Sequence, residues 1–403
     1  MLCLPVELQL DIFQRATHDP HLLDTVPDPN DPSFPEDTYD LIDTSHIIST
    51  LQTRRALTLV CRTFNALATP LLYQCLLLNH EDIRSLSASL SPYKLSFVRR
   101  LILDLPTTFS IPASPGLLSL FTSLPAVYIL SIHTRWKGLS LSPPLLDDYA
   151  VVRAMARALG PTLRVLVLND PALFLFRDPA HLSVLTQSLV HLETLVLQSL
   201  NTSWENDPRN GCMLLPAALP RLRCLRVDNA ACAFPTENTT PTHVHFPLNK
   251  FITSVLHPAL THLSLNVPHP YELDAYSALS SCTPSLVSLT LSGACIAITH
   301  LLASDTLPPV KHLSISAIYF AIRGNDSNID EYSAQALVDA IGRLRARGGT
   351  KLVDVKVRDD AFVANLRVWV KNGRVDVGGL VGCGFAVENK NGRALVYVAG
   401  GAP

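Results

Sequence analysis

Leu163-Arg164-Val165-Leu166-Val167-Leu168-Asn169 is answered, 29 residues on, by Leu192-Glu193-Thr194-Leu195-Val196-Leu197-Gln198. Each stretch places apolar residues at its first, fourth and sixth positions. The last two, with one residue between them, have the two-residue period of a strand that buries one face. The same spacing occurs at Val98/Leu101/Leu103, Val127/Leu130/Ile132, Leu222/Leu225/Val227, Leu260/Leu263/Leu265, Leu286/Leu289/Leu291, Val310/Leu313/Ile315 and Leu352/Val355/Val357. The intervals run from 24 to 42 residues. Self-similarity at such a period predicts a stack of supersecondary units, none of which buries its own apolar face alone.

Helix signals fall between the strands. Leu145–Leu159 is amphipathic and stops before Gly160-Pro161. Asp178–Leu189, Leu248–Leu256 and Glu272–Ser281 repeat the theme, and Glu331–Arg347 ends in an Arg-rich turn before Gly348-Gly349. Each unit therefore reads as strand, loop, helix and return, which makes the strands parallel and the connections right-handed. Leucine-rich repeats run about 20–29 residues, so the units at 132–163 and 227–260 carry insertions. Residues alternating with the inward pair are expected on a solvated, concave face: Val167/Asn169, Val196/Gln198, Arg226/Asp228, Ser264/Asn266, Thr290/Ser292, Ser314/Ser316 and Lys356/Arg358. Candidate substrate contacts are Asn169, Gln198, Arg226, Asp228, Asn266, Ser292, Ser316 and Arg358. An ordinary solvated sheet is the competing reading.

Composition narrows the class. Apolar residues make up 48% of the 403, enough for a large core, and charged residues only 16%, with a net charge of −2. No basic excess points to nucleic acid or anionic lipid, and no run of about 18 apolar residues points to a membrane span. Glu7 and Asp11 interrupt the apolar N-terminus, which argues against a signal peptide. The nine cysteines are odd in number and form no CxxC pair, so a reducing compartment, cytoplasmic or nuclear, fits best. His243, His245, His257, His262 and His269 lack acidic or thiol partners at ligand spacing, which favours loop and strand-edge histidines over a metal site. Gly378-Gly379-x-x-Gly382-x-Gly384 reads as a turn, since no helix follows it to hold a phosphate. Asp147-Asp148 and Asp359-Asp360 read as solvated or capping pairs. GxSxG, HExxH and Walker motifs are absent from the sequence. The chain is expected to be no enzyme and to need no cofactor.

The N-terminus differs from the repeats. Residues 4–16 predict a helix with Pro5 at its first position. Residues 18–46 hold five prolines and eight acidic residues and predict a loop. Helical periodicity returns over Ile47–Ala68, and Pro70 is expected to open a third short helix through Leu71, Leu72 and Tyr73. The order Leu4-Pro5, Glu7-Leu8, Ile12-Phe13, then Val60-Cys61-Arg62, Phe64-Asn65, Leu67-Ala68 and Pro70-Leu71-Leu72-Tyr73 resembles the F-box of many fungal proteins. Phe64 stands where the family often has Trp, and the 18–46 insertion lengthens the module. The resemblance covers about residues 1–75. It implies docking on a Skp-type adaptor, and through it a cullin, with Leu4, Pro5, Leu8, Ile12, Phe13, Leu57, Val60, Cys61, Phe64 and Leu67 as the docking set. It also implies a substrate-choosing repeat array behind the module. A small helical core is the competing account of the same stripe.

The C-terminus holds Leu366–Val377 and Phe385–Val398, each alternating around an Asn-Gly, and each therefore predicts a β-hairpin. The expected fold is α/β: all-α F-box-like helices (1–75, insertion 18–46), an irregular leucine-rich-repeat solenoid of parallel strands and helices (76–360), and a β-hairpin cap (361–403). The expected function is substrate recognition in a Skp–cullin–F-box ubiquitin ligase, for an unknown protein substrate. The alternative is an interaction scaffold uncoupled from ubiquitination.

Overall fold

A computed structural model describes residues 4–17, 23, 44–79, 81–83, 85, 91–106, 114–135, 149–169, 187–199, 219–229, 257–267, 279–305, 307–319, 331–348, 352–357, 360–377, 384–388 and 394–398. They form two compact units, Met1–Leu197 and Gln198–Pro403.

The first unit opens with helices α1 (Val6–Ala16), α2 (Thr44–Val60) and α3 (Arg62–Tyr73). Pro5 is the cap of α1, one position before the expected one. The helix expected over Ile47–Ala68 is broken: Cys61 is extended, and its thiol accepts from the Phe64 N–H at 3.4 Å to start α3. A new start at Cys61 leaves Pro70 inside α3, so no third helix begins there. Helix α3 leads into strand β1 (Cys75–Asn79), followed by α4 (Pro92–Leu95), β2 (Arg100–Pro106), α5 (Ser114–Thr122), β3 (Ile129–Arg135), α6 (Tyr149–Leu159), β4 (Val165–Asn169) and β5 (Thr194–Ser199). Strands β1 to β4 pair in chain order and in parallel, Leu76 with Leu101, Leu101 with Leu130 and Leu130 with Leu166.

The second unit holds β6 (Cys224–Asn229), β7 (His262–Val267), α7 (Leu279–Cys282), β8 (Ser288–Ala294), α8 (Cys295–Ala303), β9 (His312–Tyr319), α9 (Glu331–Gly348), β10 (Asp354–Val357), α10 (Asp360–Lys371), β11 (Gly384–Glu388) and β12 (Ala394–Val398). Strands β6 to β11 pair in parallel and in chain order. β12 closes the edge antiparallel to β11, with Phe385 opposite Val398. Closure of this kind covers a row of backbone groups that would otherwise template edge pairing.

One backbone device repeats in both units. A carbonyl before each strand accepts two successive N–H groups from the next repeat: Gln74 from Arg99 and Arg100, Arg99 from Tyr128 and Ile129, Tyr128 from Arg164 and Val165, Arg164 from Glu193 and Thr194. In the second unit Arg223, Thr261, Val287 and Lys311 play the same part. This fixes the register of each strand on its predecessor, and with it the face each side chain takes. All 27 apolar positions of the nine repeats are buried, none more than 8% exposed. The fold is thus the expected α/β stack of leucine-rich-repeat-like units.

Gly293 shows how tightly two repeats approach. Its φ is +133°, and a Cβ built there would lie 2.2 Å from the Val267 carbonyl oxygen. It follows the register shift between β8 and β9 at Leu291/Ser292.

Two expectations need correction. Leu366–Val377 is not a hairpin. Its first half belongs to α10, and Asn372-Gly373 ends that helix. Gly373 takes φ +68°, Arg374 N–H donates to the Trp369 carbonyl at 2.8 Å, and Gly373 N–H donates to Val370 at 3.1 Å. That bond pair is the Schellman stop, for which glycine is also the favoured residue. In the first arm of the expected hairpin Leu366 is buried, while Val368 and Val370 are exposed. The strand–helix–strand pattern therefore continues past residue 360, through α10 to β11. The second correction concerns Val167, Val196 and Ser314, expected on the solvated face. All three are buried, Val167 and Val196 in a cluster with Ile129 and Val165.

Candidate functional site

The N-terminal helices build a small core of their own. Phe13, Ala68 and Leu71 are buried, with Leu57, Phe64 and Leu67 packed on them. The Phe13 and Phe64 rings meet edge-to-face, centroids 4.7 Å apart. Arg54 of α2 joins the ends of the other two helices. Its guanidinium donates to the Leu71 carbonyl at 3.1 Å and to the Thr17 carbonyl at 2.9 Å, and the side chain is buried. A buried cation is tolerated where polar acceptors surround it. Here the acceptors are carbonyls at helix C-termini, where positive charge is also favoured.

The ten expected docking residues divide. Phe13 is core, and Leu57, Phe64 and Leu67 are half-buried against it. Leu4, Pro5, Leu8, Ile12, Val60 and Cys61 are exposed. Leu8 and Ile12 lie four residues apart on one face of α1, and Leu4 precedes its Pro5 cap. Val6 and Leu59, which were not singled out in the sequence, are exposed as well. Apolar side chains left outside a completed core are informative where they gather on one element.

The sheet face opposite the leucines also divides. In the first unit it carries two apolar clusters, with the polar Arg100, Ser131 and His133 also buried on it. Cys75 and Ile102 are buried there, with Leu23, Leu51 and Leu77 packed against them. Leu51 lies on α2, so the N-terminal helices rest on the start of the sheet. Further along come Ile129, Val165, Val167 and Val196, with Tyr128 against them. In the second unit the corresponding positions are polar. Registered across β7, β8, β9 and β10 are His262, Ser288, His312 and Asp354, and beside them Ser264, Thr290, Ser314 and Lys356. His312 Nδ1 pairs with Asp354 Oδ1.

Among the expected substrate contacts, Arg226 and Ser292 are half-buried on β6 and β8. Asn169, Gln198, Asp228, Asn266 and Ser316 lie on β4, β5, β6, β7 and β9, with side chains outside the described residues. Arg358 is outside them altogether, as are His243, His245, His269 and Gly378–Gly382. Leu23 aside, so is the 18–43 part of the acidic loop, while 44–46 already belong to α2. The helices expected over Asp178–Leu189 and Leu248–Leu256 fall largely outside as well. Arg347 is engaged within the second unit. It donates to the Ala303 and Ser304 carbonyls at the end of α8 and lies 3.0 Å from Asp305. Burial pushes the Cys282 thiol above its usual range. Among the described residues no group of three His, Cys, Asp or Glu could hold a metal, and no helix is long and apolar enough to cross a membrane.

No known family model matches the chain, and no curated protein matches it. Among solved structures, it is similar to a chain of the yeast Rad7 and Elc1 complex, with 16% identity over 73% of each chain and a TM-score of 0.38. It is also similar to the leucine-rich repeat-containing protein LegL7 of Legionella pneumophila, with 17% identity over 76% of this chain and 92% of that one, TM-score 0.43.

Proposed function

We propose that this chain is a non-catalytic substrate-recognition subunit of a Skp–cullin–F-box ubiquitin ligase. The observation that carries the reading is the exposed stripe Leu8 and Ile12 of α1, with exposed Leu4 just before its cap, beside a core that Phe13, Phe64, Ala68 and Leu71 already complete. It lies within the ordered two-part resemblance of residues 4–73 to an F-box. The stripe serves the Skp-type adaptor, and the repeats hold a protein substrate. Catalysis then comes from proximity: tethering raises the effective concentration of substrate lysines at the ubiquitin-loaded enzyme. Co-expression with the host's Skp-type adaptor and cullin tests it. One complex containing all three is expected. Adaptor without cullin would favour the uncoupled scaffold, and a folded chain that captures neither would end the reading.

A further inference from the structure

The second unit carries hydrogen-bonding capacity that its own described residues leave unused. His312 Nε2 and Ser314 Oγ are buried atoms with no hydrogen-bond partner among the described residues, and Ser314 as a whole is 6% exposed. Both residues lie on β9 two positions apart, hence on the same face. The site is open at its rim, since the His312 and Asp354 side chains keep 20% and 26% exposure.

The neighbours restrict what can bind. His312 Nδ1 pairs with Asp354 Oδ1, and in the neutral ring an Nδ1 proton shared with that carboxylate leaves Nε2 as an acceptor. The Ser314 hydroxyl can donate and accept. An anionic group at this point would meet the Asp354 carboxylate. A cationic group would meet Lys356, registered beside Ser314 on β10. The group that fits an acceptor, a hydroxyl and two flanking charges of opposite sign is neutral and carries both N–H and C=O. Ser264 and Thr290, level with Ser314 on β7 and β8, add hydroxyl groups along the face, which suits a polymer of such groups better than a single carboxamide.

We infer that the β7–β10 face of the second unit binds an extended polypeptide segment by its main-chain amides, with His312 Nε2 accepting an N–H and Ser314 donating to a C=O. The inference rests on the proposed recognition role and names the chemistry of the substrate segment.

The test selects linear peptides from a displayed random library on the full-length chain, then titrates a selected peptide and its single N-methyl derivatives. His312→Asn keeps a donor toward Asp354 but deletes the Nε2 acceptor, and Ser314→Ala deletes the hydroxyl. Each substitution, and N-methylation at one amide, is expected to weaken binding roughly tenfold. Ser314→Ala should leave the melting temperature of the free protein unchanged or raised, because the hydroxyl it removes has no partner to lose. Leu8→Asp should leave peptide affinity unchanged, which separates failure here from failure of adaptor docking. Selection of no peptide, equal binding by both variants, tolerance of N-methylation at every amide, or dependence only on an Asn or Gln side chain of the peptide would overturn the inference.

Discussion

Ile12 and Phe13 are neighbours in sequence with opposite fates, so truncating each to Ala separates the core of the helical module from its docking stripe. Phe13 is 4% exposed and packs on Phe64, Ala68 and Leu71. Truncating a buried Phe costs about 3–5 kcal/mol, the lost ring pairing included. Ile12 is 49% exposed, and a surface truncation changes stability by less than about 0.5 kcal/mol. Against the adaptor the order reverses. Fully burying an Ile is worth about 1.5–3 kcal/mol, half of that surface is still open, and Ile12→Ala therefore loses about 1 kcal/mol of binding, roughly fivefold. Amide hydrogen exchange along α3 reads the first effect, because opening of the module exposes those amides. Protection at Ala68 and Leu71 should fall by at least about a hundredfold in Phe13→Ala and stay at the wild-type level in Ile12→Ala. Titration of the adaptor reads the second. If Ile12→Ala collapses α3 protection while Phe13→Ala does not, the division into core and stripe is refuted.

Other positions give independent checks. Leu289→Ala should cost roughly 2–5 kcal/mol in chemical unfolding of the second unit, whereas Ser292→Ala on the opposite face should stay within about 0.5 kcal/mol; equal effects would contradict the strand register. Gly373→Ala meets no atom within 4 Å, so only its φ of +68° is penalised, about 1–2 kcal/mol. Gly293→Ala drives a methyl into the Val267 carbonyl and should lower the melting temperature further than Gly373→Ala does. Cys61 is exposed while Cys75, Cys224 and Cys295 are buried, and burial raises the Cys282 thiol. Mass spectrometry after limiting iodoacetamide should therefore find Cys61 labelled before Cys282.

The repeats were legible because their signal is periodic and every copy obeys the same burial rule, from Val98 to Val357. Strand β1 escaped notice because the position three residues before Leu76 is Tyr73, the end of α3, and not the aliphatic residue that opens the other units. Asn372-Gly373 misled for a different reason. A glycine with positive φ serves a hairpin turn and a helix stop equally, and the choice lies in the packing of Phe362 and Leu366, which are buried. On the N-terminal helices the sequence marks which residues are apolar but not which are covered. Phe13 and Ile12 belong to the same stripe by period, and only the approach of α3 decides that Phe13 turns inward. The partition of the second sheet face was hidden likewise. Val167 and Val196 alternate with leucines as solvated residues would, and their burial depends on contacts outside their own strands. Arg54 gave no signal, since an Arg on a helix reads as a solvated side chain until two carbonyl ends converge on it.

The most direct measurement of the central claim is size-exclusion chromatography with light scattering on the purified chain mixed with the purified Skp-type adaptor of its host, alongside Leu8→Asp. The wild-type chain should elute with the adaptor as a 1:1 complex. The variant, which would have to bury an unpaired carboxylate in the apolar contact at a cost of several kcal/mol, should elute alone with its α3 amides still protected. A folded wild-type chain that elutes apart from the adaptor, or a Leu8→Asp chain that binds it as tightly, would contradict adaptor docking through α1.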